Sequence, residues 1–404
     1  MNSKKQNDSE FPYLILNPSC SLKCIEYPCI YNKINDNLYK LNEDTLKFFR
    51  ENQVLQKNSI PQTIRKFVEF LKQESILLDS KTPIRKRKFI LNKPPIPSLR
   101  YLLIHLTLQC NLHCRHCYVA PNENKFITIN TIKKIFDQMQ ELQGLVVLLS
   151  GGEPLCHPHF WKINEILPSY DLRFEMLSNG TMITSDMAER LNVQHVQVSI
   201  DGMEKSHDFL RGKGSFRKAI KGIENLKRVG KEVSVSTMIH KENIKDFDDM
   251  KEMFDKYGIK QWLINQPSAI GRWRDNLNSA VPLETAIKIM VEYGRGEGPH
   301  QSKTNRTCGS HICTVLADGR IFPCPFLNDE ELSMGTIDKA GLRKAWENYT
   351  GITVEELEEC KSCEFLEQCH GGCRFRAKEH GNICGKDPVL CAIYKRKCLN
   401  KHTK

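Results

Sequence analysis

Apolar and polar residues alternate along the middle of the chain in a repeating order of strand and helix. Six short apolar runs rich in β-branched residues predict buried strands, and a stretch with helical spacing follows each of them. The predicted strands are Tyr101–Leu108, Leu145–Leu149, Arg173–Leu177, His195–Ile200, Glu232–Ile239 and Gln261–Asn265. Such alternation is typical of an α/β fold, so we expect a parallel sheet or barrel over residues 100–295. Its chemistry belongs at the carboxyl ends of the strands.

Residues 1–82 predict a small module of mixed strands and helices. Short strands are expected around Cys29–Tyr31 and Leu38–Leu41, and a helix around Glu43–Phe49. A second helix, over residues 63–78, is clearer because four apolar residues spaced i, i+3, i+4 and i+7 fall on one of its faces. These four residues are Ile64, Phe67, Val68 and Leu71.

Two further segments differ from the rest in composition. Residues 83–99 combine prolines with basic residues and predict an extended linker. Residues 296–404 contain ten of the chain's 17 cysteines and show weak helical and strand periodicity. We therefore expect this last segment to depend on metal ligation for much of its stability.

Composition narrows the class of protein. With 404 residues the chain is long enough for two or three domains. It has no run of about 18 apolar residues and no signal-peptide pattern, which predicts a cytoplasmic protein without membrane contact. In a reducing compartment, 17 cysteines are expected to be metal ligands or catalytic groups rather than disulfides. The formal charge of +11 is spread along the chain apart from Arg85–Lys88, so a solvated surface explains it better than nucleic-acid binding.

A cysteine triad follows the first predicted strand directly. Cys110, Cys114 and Cys117 form a C-x3-C-x2-C arrangement on a loop at the carboxyl end of the strand. Three thiolates can hold three irons of a four-iron cluster and leave the fourth iron open to another ligand. The alternative is zinc, but a closed zinc site needs four protein ligands, and only His113 and His116 lie nearby in the sequence.

The triad resembles the cluster-binding motif of the radical S-adenosylmethionine (SAM) superfamily. In that family a triad of this spacing, with an aromatic residue beside its last cysteine, binds a [4Fe-4S] cluster whose open iron chelates the methionine part of SAM. Tyr118 supplies the aromatic residue in this sequence. The resemblance covers residues 100–295 and implies a partial (β/α)6 TIM-like barrel with SAM and the cluster as cofactors.

The motif after the second predicted strand strengthens the resemblance. Gly151, Gly152 and Glu153 match the family's GGEP motif, which contacts the methionine amino group of SAM. Glycines allow the backbone to approach a ligand closely, and a carboxylate pairs well with an ammonium group.

Three residues after later strands are implied as further SAM contacts. Asn179 and Ser199 resemble the family's polar contacts to the SAM ribose and carboxylate, and Arg211 resembles its carboxylate-binding arginine. The neighbouring Asn-Gly and Asp-Gly pairs also fit ordinary turns, so each residue alone has a simpler explanation.

The cysteines of residues 296–404 resemble the pattern of the SPASM domain, which binds two auxiliary four-iron clusters. For the first cluster the resemblance implies Cys308, Cys324 and Cys373, with Cys313 as the natural fourth ligand. The implied ligands of the second cluster are Cys360, Cys363, Cys369 and Cys391. Taken without the upstream triad, the same cysteine pairs would also fit two zinc ribbons. Two remaining cysteines, Cys384 and Cys398, receive no role.

The order of elements in residues 1–82 resembles the winged-helix precursor-recognition module of peptide-modifying systems. Such a module offers a sheet edge to a leader peptide, which adds to it as an extra strand. A nucleic-acid-binding winged helix and a simple cap on the barrel are the alternatives. The role of three cysteines here, Cys20, Cys24 and Cys29, stays open between a metal site and buried thiols.

Together these resemblances imply an enzyme that cleaves SAM reductively and uses the 5′-deoxyadenosyl radical to modify a ribosomally made peptide. The expected outcome is a thioether cross-link, and the expected partners are the precursor peptide and an electron donor such as flavodoxin or ferredoxin. Maturation of a tetrapyrrole-like cofactor or of a sulfatase is the alternative among enzymes. An iron-sulfur electron carrier or a DNA-binding regulator is the alternative outside them. No catalytic acid or base stands out.

Overall fold

The computed structural model describes residues 11–52, 54–83, 92–119, 123–296 and 304–401. In chain order the strands are β1 Tyr13–Leu16, β2 Cys20–Cys24, β3 Pro28–Asn32, β4 Asn37–Lys40, β5 Val54–Gln56, β6 Leu77–Ser80, β7 Tyr101–Thr107, β8 Val146–Gly151, β9 Arg173–Ser178, β10 His195–Ser199, β11 Glu232–Met238, β12 Trp262–Asn265, β13 Ile312–Val315 and β14 Ile321–Phe322. The α-helices are α1 Glu43–Glu51, α2 Arg65–Gln73, α3 Ile129–Glu141, α4 Phe160–Ile166, α5 Ser185–Arg190, α6 Glu204–Arg211, α7 Ser215–Arg228, α8 Phe247–Lys256, α9 Leu283–Tyr293, α10 Gly341–Asn348, α11 Leu366–Cys369, α12 Arg374–Glu379 and α13 Pro388–Lys401.

The central sheet contains all six predicted strands, β7 to β12. They lie side by side in chain order and pair in parallel throughout. Helices follow the strands and share the main hydrophobic core with one side of the sheet, as in a (β/α) barrel. The predicted α/β fold with a parallel sheet is therefore confirmed.

Two strands of the C-terminal region extend this sheet. β13 pairs in parallel with β7, so that Ile312 lies opposite Tyr101 and Val315 lies opposite Ile104. β14 pairs with β13 in the antiparallel direction and completes an eight-stranded sheet. The sequence pattern predicted this region to be separate from the barrel and did not predict the shared sheet.

Alternate residues of the central strands face opposite sides of the sheet. On β7, Leu102, Ile104 and Leu106 belong to the main hydrophobic core together with Phe136 of α3. The residues between them, including His105, face the inside of the barrel because side chains alternate along a strand. The helix side of the sheet is thus apolar, and the inner side carries polar groups.

The N-terminal region forms two antiparallel sheets of three strands each, in the orders β5-β1-β6 and β2-β3-β4. The helices α1 and α2 contribute Phe49, Val68 and Leu71 to a core shared with these sheets. The predicted first helix and the predicted strand pair, now β3 and β4, are confirmed. The winged-helix interpretation itself remains a prediction.

The second predicted helix, α2, is shorter than expected. It ends at Gln73, and Leu77–Ser80 form strand β6 where the sequence pattern predicted helix. The reason is Ser75, whose left-handed backbone, with φ of 56°, reverses the chain and cannot continue a right-handed helix. The apolar residues after it therefore belong to a sheet edge.

The β2-β3-β4 sheet caps the end of the barrel where the central strands begin. The ammonium group of Lys23, only 2% exposed, donates hydrogen bonds to the carbonyl oxygens of Gly144 at 3.0 Å and Asp171 at 2.7 Å. The guanidinium group of Arg173 donates to the carbonyl oxygen of Ile34 at 2.6 Å. A buried lysine is stable only when such acceptors satisfy it, so these contacts fix the cap in place.

Apolar packing joins the β2-β3-β4 cap to the barrel on one face and to the rest of the N-terminal region on the other. Tyr31 of β3 is fully buried in a small cluster with Tyr101, Leu145 and Val146 of the barrel. The preceding residue, Ile30, belongs to the core of the N-terminal region. The β2-β3-β4 sheet therefore links the N-terminal region to the barrel by both of its faces.

Of the predicted linker, residues 84–91 lie outside the described part of the chain. Among the helices that the structure describes, none combines the length and the apolar composition needed to cross a membrane.

Candidate active site

The cysteine triad lies on the loop after β7, at the carboxyl end of the strand, as predicted. Burial raises the pKa of the Cys110 thiol to about 12, and the nearby Cys114 and Cys117 thiols contribute to the shift. The three thiols therefore lie within electrostatic reach of one another. Coordination to a metal removes this penalty because it stabilises the thiolate. The loop fits a metal cluster on these grounds.

The two glycines of the GGEP motif pack the end of β8 against the start of the triad loop. A Cβ atom on Gly152 would lie 2.3 Å from the carbonyl oxygen of Gln109. On Gly151, whose φ is 126°, it would lie 2.3 Å from the carbonyl oxygen of Thr107. Only glycine fits at either position, so the motif sets the position of the cluster loop in addition to any contact with SAM.

Glu153 is completely buried and joins two strand ends. Its carboxylate accepts hydrogen bonds from the hydroxyl of Ser178 at 2.9 Å and the backbone N–H of Asn179 at 2.8 Å. Burial raises the pKa of Glu153 to about 7, although these hydrogen bonds act in the opposite direction. The carboxyl group thus holds the carboxyl ends of β8 and β9 together beside the triad.

Asn179 lies next to the first cysteine of the triad. Its side-chain amide donates to the side-chain oxygen of Asn111 at 2.8 Å and lies 3.9 Å from the Cys110 sulfur. Ser199, also predicted as a SAM contact, is half-buried near the carboxyl end of β10. The structure thus brings Asn179 to the triad loop.

Arg211 connects the fourth strand end to the triad. Its guanidinium group forms an ion pair with the buried carboxylate of Asp201 and lies 4.0 Å from the Cys114 sulfur and 3.4 Å from the His116 ring. Burial alone would raise the pKa of Asp201, but Arg211 and His116 hold it at about 2. A positive charge therefore lies beside the thiols that would carry a negatively charged cluster.

Tyr118 joins the triad loop to the C-terminal region. Its hydroxyl lies 3.2 Å from the ring nitrogen Nε2 of His105 inside the barrel. Its ring packs against Phe326 with centroids 4.6 Å apart, and Phe326 stacks on Phe375 at 5.3 Å. Phe326 and Phe375 each follow a predicted ligand of the first auxiliary cluster by two residues, so aromatic rings connect the two predicted cluster sites.

Three of the four cysteines predicted for the first auxiliary cluster come together. Burial raises the pKa of the Cys308 thiol, and the nearby Cys324 and Cys373 thiols raise it further. Cys313 lies elsewhere: it is 1% exposed on β13, beside Leu102 and within the main hydrophobic core. Burial alone raises its pKa, without a contribution from another thiol. The strand places Cys313 on the helix-covered side of the sheet, apart from the three thiols that act on one another.

All four cysteines predicted for the second auxiliary cluster come together. Burial raises the pKa of the Cys369 thiol, and Cys391, Cys360 and Cys363 all lie near enough to contribute. Cys384 is not among the thiols that act on Cys369, and the side chain of Cys398 lies outside the described residues.

Two of the three N-terminal cysteines, Cys20 and Cys29, are buried thiols, and Cys24 is half-buried. Burial raises the pKa of Cys20 to about 11 and that of Cys29 to about 12. Cys24 lies near Cys29, but Cys20 belongs to the apolar core of the N-terminal region. Across the described ranges, no three His, Cys, Asp or Glu side chains are already close enough to share a single metal ion.

The segment after the sixth strand, residues 271–279, also contacts the triad loop, and no sequence motif indicated it. Arg272 donates from its side chain to the carbonyl oxygen of Cys114 at 2.9 Å and from its backbone to that of Cys117 at 3.0 Å. Asn276 donates to the carbonyl oxygen of Arg115 at 3.3 Å. The available signal was a polar loop with a glycine at the carboxyl end of a predicted strand.

Comparison with known proteins defines the class. The sequence model of the radical SAM superfamily matches residues 104–254, and that of SPASM, an iron-sulfur cluster-binding domain, matches residues 307–373. The chain therefore belongs to the radical SAM superfamily and carries a SPASM domain. It is an enzyme whose cofactors are SAM and iron-sulfur clusters.

Relatives of two kinds are found within this class. The chain is 26% identical over 351 residues to the AdoMet-dependent heme synthase of Nitratidesulfovibrio vulgaris, covering 74% of this chain and 94% of that protein. It is 27% identical over 301 residues to the mycofactocin maturase MftC of Mycobacterium tuberculosis, covering 66% and 76%. The structure of Streptococcus suis SuiB bound to S-adenosylmethionine has the same fold, with a TM-score of 0.64, 16% identity and coverage of 93% of this chain and 99% of that one.

Proposed function

We propose that this radical SAM enzyme modifies a ribosomally made precursor peptide and forms a thioether cross-link in it. The observation that carries the proposal is an open sheet edge in the N-terminal region, which suits an extended peptide. Two similarities support it: MftC is a maturase, and SuiB has also been solved bound to a precursor peptide, SuiA.

The proposed peptide-binding edge is strand β6. Within the described ranges β6 pairs with β1 on one side and with no strand on the other. Two large apolar side chains lie at this edge and on the helix before it: Leu78 of β6 is 37% exposed and Phe70 of α2 is 47% exposed. An added strand gains backbone hydrogen bonds, and exposed apolar side chains select its residues. We infer that β6 and α2 hold the leader part of the precursor.

The residues around the triad are proposed to hold SAM and the cluster that cleaves it. Cys110, Cys114 and Cys117 would ligate the cluster, and the bound cofactors supply a 5′-deoxyadenosyl radical. Asn179 and Arg211 reach within 4.0 Å of the triad sulfurs, so they are positioned to contact a ligand on the open iron. The predicted set is completed by Tyr118 beside Cys117, Gly151 at the end of β8, Gly152 and Glu153 directly after it, and Ser199 at the end of β10.

The first auxiliary site is proposed to have three cysteine ligands. The closed four-cysteine site expected from the sequence does not fit the position of Cys313 in the apolar core. Cys308, Cys324 and Cys373 would leave one iron open. A cysteine thiol of the substrate could then bind there as the thiolate, which is the form needed to make a carbon–sulfur bond. We propose that the second site, with Cys360, Cys363, Cys369 and Cys391, transfers electrons, with a flavodoxin or ferredoxin as donor.

Tetrapyrrole maturation is the second candidate function. The similarity to the AdoMet-dependent heme synthase of Nitratidesulfovibrio vulgaris covers 94% of that protein, and a Methanosarcina barkeri Fe-coproporphyrin III synthase matches 368 residues at 23% identity. Against this candidate, the N-terminal sheet edge would then have no evident use.

The first experiment tests the reaction class and the substrate class together. The reconstituted enzyme is reduced with a chemical electron donor in the presence of SAM. The release of 5′-deoxyadenosine is then measured with either Fe-coproporphyrin III or a candidate precursor peptide, sought among short reading frames near the gene. We expect the peptide to stimulate release and to lose two mass units per cross-link. Stimulation by the tetrapyrrole alone would contradict the proposal. As control, replacing Cys110, Cys114 and Cys117 together by Ala should abolish SAM cleavage and leave the auxiliary clusters.

The second experiment tests the peptide-binding edge. Leu78→Asp and Phe70→Asp should each weaken binding of that peptide about tenfold, since each side chain contributes roughly 1.5 kcal/mol when buried. SAM cleavage without peptide should not change. The matched control is Ile34→Asp, because Ile34 is 56% exposed in the same region but lies away from β6. Equal weakening by all three variants would show that β6 is not the binding edge.

A further inference from the structure

Residues 271–276, in the segment after β12, hold the triad loop at three points. The backbone N–H of Arg272 donates to the carbonyl oxygen of Cys117 at 3.0 Å, and its Nε donates to that of Cys114 at 2.9 Å. The side-chain amide of Asn276 donates to the carbonyl oxygen of Arg115 at 3.3 Å. We call residues 271–276 the loop clamp.

The backbone of the loop clamp approaches the triad loop so closely that only glycine fits at its first position. A Cβ atom on Gly271 would lie 2.2 Å from the carbonyl oxygen of Cys117 and 2.8 Å from the Cα atom of Tyr118. Gly271 also has φ of 52°, in the left-handed region of the backbone that residues with a Cβ atom rarely adopt. Substitution there must therefore separate the two loops.

The clamp also fixes the direction of the peptide groups between the cysteines. In a trans peptide the N–H points opposite to the carbonyl of the preceding residue. Because Arg115 and Cys117 direct their carbonyl oxygens toward the clamp, the N–H groups of His116 and Tyr118 point away from it. Hydrogen bonds from such N–H groups to cluster sulfurs are one of the ways in which proteins set cluster potentials.

Arg272 adds a positive charge next to the triad. Its guanidinium group lies 3.3 Å from the ring of His113 and bonds the carbonyl of Cys114. With Arg211 at 4.0 Å from the Cys114 sulfur, two guanidinium groups flank the same cysteine. Positive charge stabilises the more negative, reduced form of a bound cluster.

We propose that Arg272 is a positioning residue: with Gly271 and Asn276 it holds the triad loop in the conformation that retains the SAM-binding cluster, and its charge makes that cluster easier to reduce. This inference rests on the proposed assignment of the triad as cluster ligands. It concerns residues outside the proposed ligand set, which lie 150 or more positions further along the chain than the triad residues they contact.

The test compares Arg272→Gln with Arg274→Gln in the reconstituted full-length enzyme. Arg274 is the matched control because it lies two positions away and is exposed, and within the described part of the chain its side chain donates to the carbonyl oxygen of Ala269 and not to the triad loop. Cluster loss to an iron chelator is followed by absorbance, and the SAM-induced change in the electron paramagnetic resonance spectrum reports on the triad cluster alone. We expect Arg272→Gln to lose this cluster about tenfold faster and to have a more negative midpoint potential.

Two further variants separate the contributions. Arg272→Lys keeps the charge but cannot reproduce the side-chain geometry, so it should keep the potential near that of the wild type while the cluster is lost faster. Gly271→Ala should speed cluster loss strongly. The control Gly230→Ala should not, because Gly230 has a similar φ of 73° but a Cβ atom there would meet no other atom within 4 Å.

If Arg272→Gln and Gly271→Ala retain the cluster as well as their controls do, the clamp has no positioning role. If the wild type itself shows no SAM-dependent spectrum, the assignment of the triad is overturned instead.

Discussion

Replacing Cys313 by Ala distinguishes a core residue from a cluster ligand. The side chain is 1% exposed on β13 and packs in the main hydrophobic core. Removing its sulfur deletes one group of about methylene size, which costs roughly 0.8 kcal/mol of transfer free energy, with a cavity contribution in addition. We expect Cys313→Ala to lower the free energy of unfolding by about 1 kcal/mol and to leave the iron content unchanged.

The assay has two independent measurements. Urea unfolding of the cluster-free protein gives the change in stability, and iron per chain with the electron paramagnetic resonance spectrum gives the state of the first auxiliary cluster. Cys308→Ala serves as the comparison, because Cys308 lies with Cys324 and Cys373 and should cost iron. If Cys313→Ala loses as much iron as Cys308→Ala, then Cys313 is a ligand and the three-cysteine site is wrong.

Three other predictions follow from buried polar contacts. Burial alone would raise the pKa of Glu175 in the barrel, but His195 and Arg173 hold it at about 2. The carboxylate therefore contributes about 3 kcal/mol to stability above pH 4.5, and this contribution is lost as the pH falls toward 2. Glu175→Gln should abolish this pH dependence when unfolding of the cluster-free protein is measured. Lys23→Met removes the hydrogen bonds that Lys23 donates to two carbonyl oxygens of the barrel, so it should lower the free energy of unfolding by about 1–3 kcal/mol in thermal unfolding. The control Lys47→Met, at an exposed position, should cause no measurable change. Glu153→Gln cannot accept from both Ser178 and the Asn179 backbone as the carboxylate does, so SAM binding measured by calorimetry should weaken at least tenfold; unchanged binding would show that Glu153 has no role in the site.

Local patterns predicted most of the barrel. The six central strands follow from runs of buried β-branched residues, and the triad loop and the GGEP turn are found at strand ends because parallel strands end at the same edge. The grouping of Cys360, Cys363 and Cys369 with Cys391 also agrees with the spacing pattern. In each case the signal is contained in a short stretch of sequence.

Features that depend on long-range pairing were not predictable in this way. Cys313 has the sequence spacing of a ligand, but the pairing of β13 with β7 decides which side of the sheet its thiol faces. The clamp at Arg272 depends on contacts between residues 158 positions apart. The end of α2 depends on the left-handed conformation of one residue, Ser75, which is unusual for a side chain other than glycine.

The cap formed by β2-β3-β4 limits how this enzyme can be taken apart. A chain lacking residues 1–82 would lose Lys23 and Tyr31, which close the barrel beneath the central strands. The proposed peptide-binding sheet is built from β1 before the cap and from β5 and β6 after it. No single cut in the chain can therefore remove that sheet and spare the cap. The proposed peptide-binding sheet and the barrel both depend on the cap. Peptide recognition could therefore be exchanged between related enzymes only by replacing individual surface residues of β6 and α2.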